Sequence, residues 1–162
     1  MYLLITFLSS ICLVFSDSNL ETGILEIDSK NLNLKTGWYY VIETQNGIER
    51  ELEGTDLNHY LDPDPIVTCN NFKELRIYES VFKIHGLMIS FDEEGIENWR
   101  IATRNSIDKK VGFVFQNNLI YTATVKSEIT FGVSAIEGKS FSIEEVEELK
   151  RKIEAEIEEN CP

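Results

Sequence analysis

The sequence is poor in the residues from which metal and redox centres are usually built. It contains two histidines, His59 and His85, and three cysteines among 162 residues. The two histidines lie in unrelated sequence contexts, and no Cys and His spacing typical of a zinc site occurs. The sequence also lacks a nucleophile elbow, a phosphate-binding loop and a series of metal-ligating carboxylates. We therefore predict a protein without catalytic residues, metal or small-molecule cofactor.

Basic residues are also scarce. The chain has 15 Lys or Arg residues against 28 Asp or Glu residues, which gives a formal net charge of −13. Nucleic-acid binding needs a basic face that neutralises phosphates, and anionic membrane surfaces attract basic segments. The charge balance therefore argues against both classes of partner. With three prolines and 43% hydrophobic residues, the chain is expected to fold around a core rather than to be disordered.

Charged residues are absent from the first 15 positions, where apolar side chains dominate. This run is shorter than the roughly 20 apolar residues that a membrane-spanning helix needs. It is typical of a secretory signal peptide, with Val14 and Ser16 at the small-residue positions of a cleavage site. We expect residues 1–16 to be removed, with a core strand or an uncleaved anchor as alternatives. The expected mature protein is periplasmic or secreted and has no integral membrane span.

Export would give the cysteines a structural role. Cleavage after Ser16 would leave Cys69 and Cys161, which could form one disulfide bond in an oxidising compartment. The alternative is two unpaired thiols, with Cys69 as a small buried residue and Cys161 near a frayed chain end.

Residues 17–60 are predicted to form an N-terminal β-rich region. The runs Trp38–Ile42 and Ile48–Leu52 flank Asn46-Gly47, a dipeptide typical of two-residue turns, and together they predict a β-hairpin. We expect the aromatic residues of this hairpin to pack against a core rather than to bind a ligand. A short strand before the hairpin is expected at Ile24, Leu25 and Ile27.

The segment Leu61-Asp62-Pro63-Asp64-Pro65 is predicted to be a boundary. Proline fixes φ and lacks an N–H group, so we expect neither a helix nor a central strand to cross it. We interpret the two aspartates as part of a solvated turn rather than as calcium ligands, because no further acidic ligands follow at loop spacing. The second domain is placed at residues 61–160.

A strand followed by a helix is predicted after this boundary. The apolar run His85–Phe91 predicts the strand, and the helix is expected from about Glu93 to Ile107. Asp92 is suited to accept hydrogen bonds from free amides at the helix start, and the acidic residues that follow suit the positive end of the helix dipole. We interpret this acidic cluster as a helix cap rather than as a catalytic pair.

The rest of the chain predicts further strands and a closing helix. Residues 111–115 and 119–125 are expected to form a hairpin around an Asn-containing turn, and residues 129–136 a further strand. Ser142 and Glu145 form a capping box that predicts the start of the last helix. Two helices on one face of a mostly antiparallel sheet would give an α+β fold of ferredoxin-like type.

Periodicity predicts which residues of this region share a core and which form ion pairs. On the last helix, Glu147 with Arg151 and Glu148 with Lys152 have the favourable i,i+4 polarity. We expect the apolar residues of both helices and of two strands to meet at one interface, which would bury Ile96, Trp99, Val114, Val125, Val146, Leu149 and Ile153.

Four motifs follow one another in a characteristic order. They are the helix start Phe91–Gly95, the strand Lys110–Phe115, the stretch Ile129–Gly138 and the helix start Phe141–Glu145, with Ala102-Thr103 near the end of the first helix. Their order and spacing, over roughly residues 61–155, resemble the head of the first periplasmic domain of the SecD/SecDF export membrane proteins.

The resemblance implies a free-standing, exported and non-catalytic module that binds polypeptide or a protein partner. Translocase activity is not implied, because the family's membrane-embedded residues have no counterpart here. An acidic inhibitor or immunity-type protein that binds a basic target is the alternative. Phe131 occupies a position where the family has Gly, and Tyr121 lies on the preceding strand, so both are candidate partner-binding residues. Filling of the core is the competing expectation for Phe131.

The expected removal of residues 1–16 can be tested on protein recovered from the native host. N-terminal sequencing should begin at Asp17, because the uncharged apolar run ends at a small-residue site at Ser16. An intact Met1 on cytosolic protein would contradict export.

Overall fold

The computed structural model of the chain describes residues 32–43, 46–138 and 141–160. The expected signal peptide, the expected short strand at residues 24–27 and Cys161 lie outside the described residues. The described part contains eight strands and two helices. The strands are β1 (Gly37–Ile42), β2 (Ile48–Glu51), β3 (Asn58–Thr68), β4 (Phe72–Glu79), β5 (His85–Phe91), β6 (Lys110–Phe115), β7 (Asn118–Thr124) and β8 (Val133–Glu137), and the helices are α1 (Glu93–Asn105) and α2 (Ile143–Asn160).

The strands form two antiparallel sheets. The larger sheet has the order β2-β3-β1-β6-β7, and the smaller one has the order β4-β5-β8. Helix α1 contacts β3 of the larger sheet and β5 of the smaller one, whereas α2 contacts β4 and β5. The α+β class is therefore confirmed. The ferredoxin-like detail is not confirmed. One sheet with both helices on one face was expected, whereas the structure has two sheets.

The expected hairpin of β1 and β2 is wrong, although both strands exist. Strand β3 lies between them and pairs with each in antiparallel register. Gly47 is needed for a close approach rather than for a two-residue turn. A Cβ atom at this position would lie 2.7 Å from the carbonyl oxygen of Leu61 on β3. The expected packing of the aromatic residues is confirmed, since Trp38 and Tyr39 are both buried.

The expectation that no central strand crosses the two prolines is also wrong, because β3 contains both of them. Strand β2 pairs with β3 only along Asn58–Leu61, so the prolines lie beyond the end of β2. On the other side, Tyr39 pairs with Pro65 and Val41 with Leu61, which leaves a bulge in β3. Proline is tolerated at such edges and bulges, where no ladder hydrogen bond is lost. The division of the chain at residue 61 stays a prediction.

The predicted strand and helix that follow are confirmed. Strand β5 has the predicted bounds, and the side chain of Asp92 accepts a hydrogen bond from the Gly95 amide at 2.7 Å. Helix α1 ends at Asn105, two residues earlier than expected, and Ile107 is consequently exposed.

The predicted hairpin of β6 and β7 is confirmed as well. Gln116 and Asn117 at its turn have φ angles of 47° and 69°. Both angles are positive, as a tight two-residue hairpin turn requires.

The capping box of α2 is confirmed by two reciprocal hydrogen bonds. The Ser142 amide donates to the Glu145 carboxylate at 2.8 Å, and the Glu145 amide donates to the Ser142 hydroxyl at 3.2 Å. The predicted pair of Glu148 with Lys152 is present at 3.5 Å. Arg151, however, pairs with Glu148 at 2.6 Å rather than with Glu147.

The core consists of two clusters on opposite faces of the larger sheet. The main cluster lies between the two sheets and both helices and includes Trp99, Val125, Val146 and Ile153, with Ile96 and Leu149 packed against it. Val114 was expected there but belongs to the second cluster, with Tyr39, Leu61 and Leu119. Successive residues of a strand face opposite sides, so Phe113 takes the position in the main cluster and Val114 faces away.

Residues 126–132 form a segment without helix or strand that lies along α1, which we call the strap. The strap occupies the first half of the region 129–136 where a strand was expected, so β8 begins only at Val133. The Ile129 amide donates to the Thr103 hydroxyl at 2.9 Å, and Arg100 pairs with Glu128 at 2.9 Å. At the end of the strap, the Phe91 amide donates to the Gly132 carbonyl oxygen at 2.9 Å.

Thr103 is the buried anchor of the strap. Its hydroxyl group donates to the Trp99 carbonyl oxygen one turn earlier at 2.9 Å and accepts the hydrogen bond from Ile129. The side chain is fully buried. The Thr near the end of the first helix therefore has a structural role, which is to hold the strap against the helix.

Replacement of the buried indole should strongly destabilise the fold. Trp99→Ala removes a side chain that is 3% exposed, and truncations of this kind cost about 3–5 kcal/mol of unfolding free energy. Chemical denaturation would measure the change. Phe131→Ala, which truncates an exposed ring, is the control and should cost less than about 0.5 kcal/mol. A loss below about 1 kcal/mol for Trp99→Ala would show that the indole is not buried.

Removal of the Thr103 hydroxyl should release the strap without emptying the core. Thr103→Val preserves the shape of the side chain but leaves the Ile129 amide without its acceptor, at a cost of about 1–3 kcal/mol. Amide hydrogen exchange should show loss of protection at Ile129. Thr103→Ser retains the hydroxyl group and should retain the protection. Unchanged exchange in the Val variant would contradict the anchoring role.

Candidate functional site

Phe131 lies near the end of the strap and is 85% exposed. The expectation that it fills the core is therefore wrong. The neighbouring Ile129 packs against the main cluster. Gly132 has a φ angle of +64°, and a Cβ atom there would lie 2.2 Å from a side-chain carbon of Ile96. The strap thus fits closely onto α1 on either side of Phe131, and the aromatic ring is left on the surface.

The exposure of Phe131 comes from a braced segment. Anchors at Thr103, Arg100 and Phe91 hold the strap along its length. Arg100 also binds Glu97 on its own helix, and this hydrogen bond lowers the pKa of the Glu97 carboxyl group. The backbone that carries the exposed Phe131 ring is therefore held in place by contacts with α1 and β5.

Tyr121 has a different environment. Its ring packs edge-on against Trp38 with the ring centroids 6.1 Å apart. Burial raises the pKa of the Tyr121 phenol, and the nearby Glu137 carboxylate raises it further. The side chain is part of the packing between the sheets, and Phe131 is the more accessible of the two candidate residues.

A second exposed apolar site lies in the turn between β4 and β5. Val81 is 91% exposed and Phe82 is 82% exposed. The Ser80 hydroxyl accepts hydrogen bonds from the amides of Phe82 and Ile84 and so shapes this turn. This site was not predicted from the sequence. Its signal there is two adjacent apolar residues between a Ser and a Lys ahead of a predicted strand.

A cleft of about 530 Å³ lies between α2 and the β6–β7 hairpin. Apolar side chains, among them Leu87 and Leu149, form part of its lining. The charged residues of the lining are Glu53, Glu145, Glu148 and Lys152. Glu145 is already engaged in the capping box of α2. Glu148 pairs with Arg151 and Lys152. The cleft therefore offers apolar contact area beside charged groups that already take part in the contacts of α2.

The acidic residues singled out in the sequence have structural roles. Asp92 caps α1, and the side chain of Asp62 accepts a hydrogen bond from the Asp64 amide at 3.0 Å within the bulge of β3. In residues 32–43, 46–138 and 141–160, no group of three or more His, Cys, Asp or Glu side chains could hold a metal ion. No helix in this described part of the chain is long and apolar enough to cross a membrane.

Comparisons with solved structures show the same fold in a protein-export component. The chain is similar to the protein in the solved structure described as "Crystal structure of SecDF in Super-membrane-facing form". The two share 22% sequence identity and superpose with a TM-score of 0.59, and the match covers 72% of this chain and 18% of that chain. It is also similar to the protein in the structure described as "Structure and function of a membrane component SecDF that enhances protein export". Here the sequence identity is 22% and the TM-score 0.58, and the match covers 72% of this chain and 60% of that chain. The chain thus spans less than two thirds of either protein. No curated protein matches it.

A family comparison gives the assignment. The family described as "SecDF, P1 head subdomain" matches residues 45–156. The match includes α1, the strap and most of α2, and thus the motifs from which the resemblance was drawn. It covers more than half of the sequence, so the chain belongs to the SecDF P1 head subdomain family.

Proposed function

We propose that this protein is an extracytoplasmic, non-catalytic interaction module that binds polypeptide or a protein partner, and that Phe131 is its central contact. The observation that supports this proposal most directly is the 85% exposure of Phe131 on a segment with three anchors. Membership in the SecDF P1 head family supports an interaction role. The comparisons give no support to the acidic inhibitor, and it is not proposed.

A braced aromatic side chain is well suited to binding. Burial of a Phe ring against a partner contributes a large apolar area, and aromatic residues often dominate interface energetics. Binding also costs entropy when loops and side chains have to be ordered. The strap reduces this cost because its backbone is already held by Thr103 and Phe91.

The surroundings of Phe131 favour a partner with apolar and basic residues. The strap ends beside Phe91, and the first turn of α1 immediately afterwards carries the exposed carboxylates of Glu93 and Glu94. Charges of opposite sign on the partner would increase the rate and the specificity of association. With a net charge of −13 on the whole chain, basic polypeptides are the favoured class.

The outer face of the smaller sheet extends this surface. Strand β8 follows the strap directly, and Ala135 on β8 lies opposite Met88 on β5. Both residues are half-buried, as is Val133 at the start of the strand. An extended polypeptide that contacts Phe131 could therefore continue over a partly apolar face.

The proposal can be tested by titration of a fluorescent, permanently unfolded basic polypeptide into wild-type protein and two variants. Phe131→Ser should weaken binding about tenfold or more, the effect of removing a central aromatic contact. Phe82→Ser is the matched control, because it removes a ring of nearly equal exposure at a different turn, and its affinity should equal that of wild type.

Thermal melting should give the same midpoint for wild type and both variants, because both rings are on the surface. Equal binding by wild type and Phe131→Ser, or the absence of binding by wild type, would contradict the proposed role of Phe131. A loss caused equally by both variants would show a general affinity for exposed apolar residues and would also contradict it.

A further inference from the structure

Strand β8 is an edge strand of the smaller sheet. It pairs with β5 on one side, and no other strand within residues 32–43, 46–138 and 141–160 pairs with it. In an antiparallel pair, the residues of a strand alternately direct their N–H and C=O groups toward the partner strand and away from it. A row of main-chain groups on β8 therefore points away from β5.

The register of β8 with β5 shows which residues carry these groups. The Phe91 amide donates to the Gly132 carbonyl oxygen at 2.9 Å. The register that follows has no shift, so every second residue after Gly132, beginning with Ser134, also directs its main chain toward β5. Val133 and Ala135 lie between these positions, and their N–H and C=O groups face away from β5.

Tyr121 closes the far end of this edge. A hydrogen bond joins its phenol group to the backbone of Glu137, which is the next residue of β8 whose main chain faces away from β5. The remaining part, Val133–Ala135, is called the open edge. It begins two residues after Phe131, whose ring is exposed.

The open edge lacks the features that usually protect an edge strand. Natural sheets protect exposed edges with lysine, proline or bulges. Strand β4, the opposite edge of the same sheet, has Lys73 and a register shift after Phe72. The charged residue of β8 is Glu137, and the register of β8 with β5 has no shift. The two edges of the sheet therefore differ, and β8 is the one that suits pairing with a further strand.

We propose that the open edge binds an extended segment of a basic polypeptide as an additional β-strand beside Phe131. This inference rests on the proposed function and adds a mode of binding to it. The main-chain groups of Val133 and Ala135 hold the segment largely independently of its sequence, because every residue except proline offers both an N–H and a C=O group. The ring of Phe131 contacts a side chain of the bound segment.

Charge favours a basic polypeptide over a second copy of this chain as the added strand. The exposed Glu137 lies at one end of the open edge, and the exposed Glu93 and Glu94 lie beyond Phe91 at the other end. A basic segment meets complementary charge at both ends. Two copies of the chain, each with a net charge of −13, repel one another.

Amide hydrogen exchange of the wild-type protein, measured for each residue by NMR, tests this mode of binding. Without polypeptide, the amides of Val133 and Ala135 should exchange fast, whereas those of Ser134 and Ile136 should be protected by the pairing with β5. A saturating amount of the same unfolded basic polypeptide as in the titration should slow exchange at Val133 and Ala135 about tenfold or more.

Two results of the exchange measurement would overturn strand addition. One is unchanged exchange at Val133 and Ala135 in the protein that has bound polypeptide. The other is protection of both amides before polypeptide is added, because a second copy or another part of the chain would then occupy the open edge.

A proline at position 135 should block the open edge without removing a hydrogen bond to β5. Ala135→Pro removes an N–H group that faces away from the sheet, where proline is tolerated. The affinity for the polypeptide should fall about tenfold, because a main-chain hydrogen bond is lost and the proline ring lies in the path of the added strand. Ala135→Val retains the N–H group, suits a strand and should bind as wild type does. Equal affinities of the two variants would overturn the proposal.

The measurements distinguish failure of strand addition from failure of the proposed function. If Phe131→Ser weakens binding but bound polypeptide leaves exchange at Val133 and Ala135 unchanged, the contact through Phe131 is supported and strand addition is wrong. If exchange slows but Phe131→Ser binds as wild type does, strand addition is supported and the role of Phe131 is wrong. If wild type does not bind the polypeptide, both are wrong. The exchange measurement uses wild-type protein and thus does not depend on the folding of the proline variant.

Discussion

The packing of the buried Trp38 side chain is the contact on which most of the structure depends. Its indole ring lies 5.1 Å from Trp99 on α1, 5.3 Å from Phe113 on β6 and 6.1 Å from Tyr121 on β7, measured between ring centroids. Its Nε1 group donates a hydrogen bond to the Ser134 hydroxyl on β8 at 2.9 Å. The Trp38 side chain thus joins the larger sheet, the smaller sheet and α1. Thr103, which anchors the strap, lies one turn after Trp99 on that helix.

Local features of the fold could be predicted from the sequence, because they depend on neighbouring residues. The caps of both helices, the strand before α1 and the β6–β7 hairpin are all determined within a few residues. The pairing of strands outside such a hairpin was not predictable in this way. Asn46-Gly47 is typical of a hairpin turn, which would pair β1 with β2. In the structure β3 lies between these two strands and pairs with both. The prolines of β3 are accommodated for a related reason, since β2 ends before them.

The candidate site was predictable in part. The sequence singled out Phe131, because it is a large aromatic residue at a position where the family has Gly. Whether the ring is buried could not be deduced, because this depends on the strap, whose course is set by hydrogen bonds to Thr103 and Phe91. Tyr121 illustrates the opposite case. It was the second candidate partner-binding residue, but its ring packs against Trp38, more than 80 positions away in the chain.

The proximity of Trp38 and Trp99 has a spectroscopic consequence. These are the two tryptophans of the chain, and their rings are in contact within the main core cluster. The tryptophan fluorescence of the protein therefore comes from a single buried location and reports on the integrity of the interior. The surface around Phe131 contributes no emitting indole of its own, so a tryptophan carried by a docking polypeptide would supply a signal distinct from that of the core.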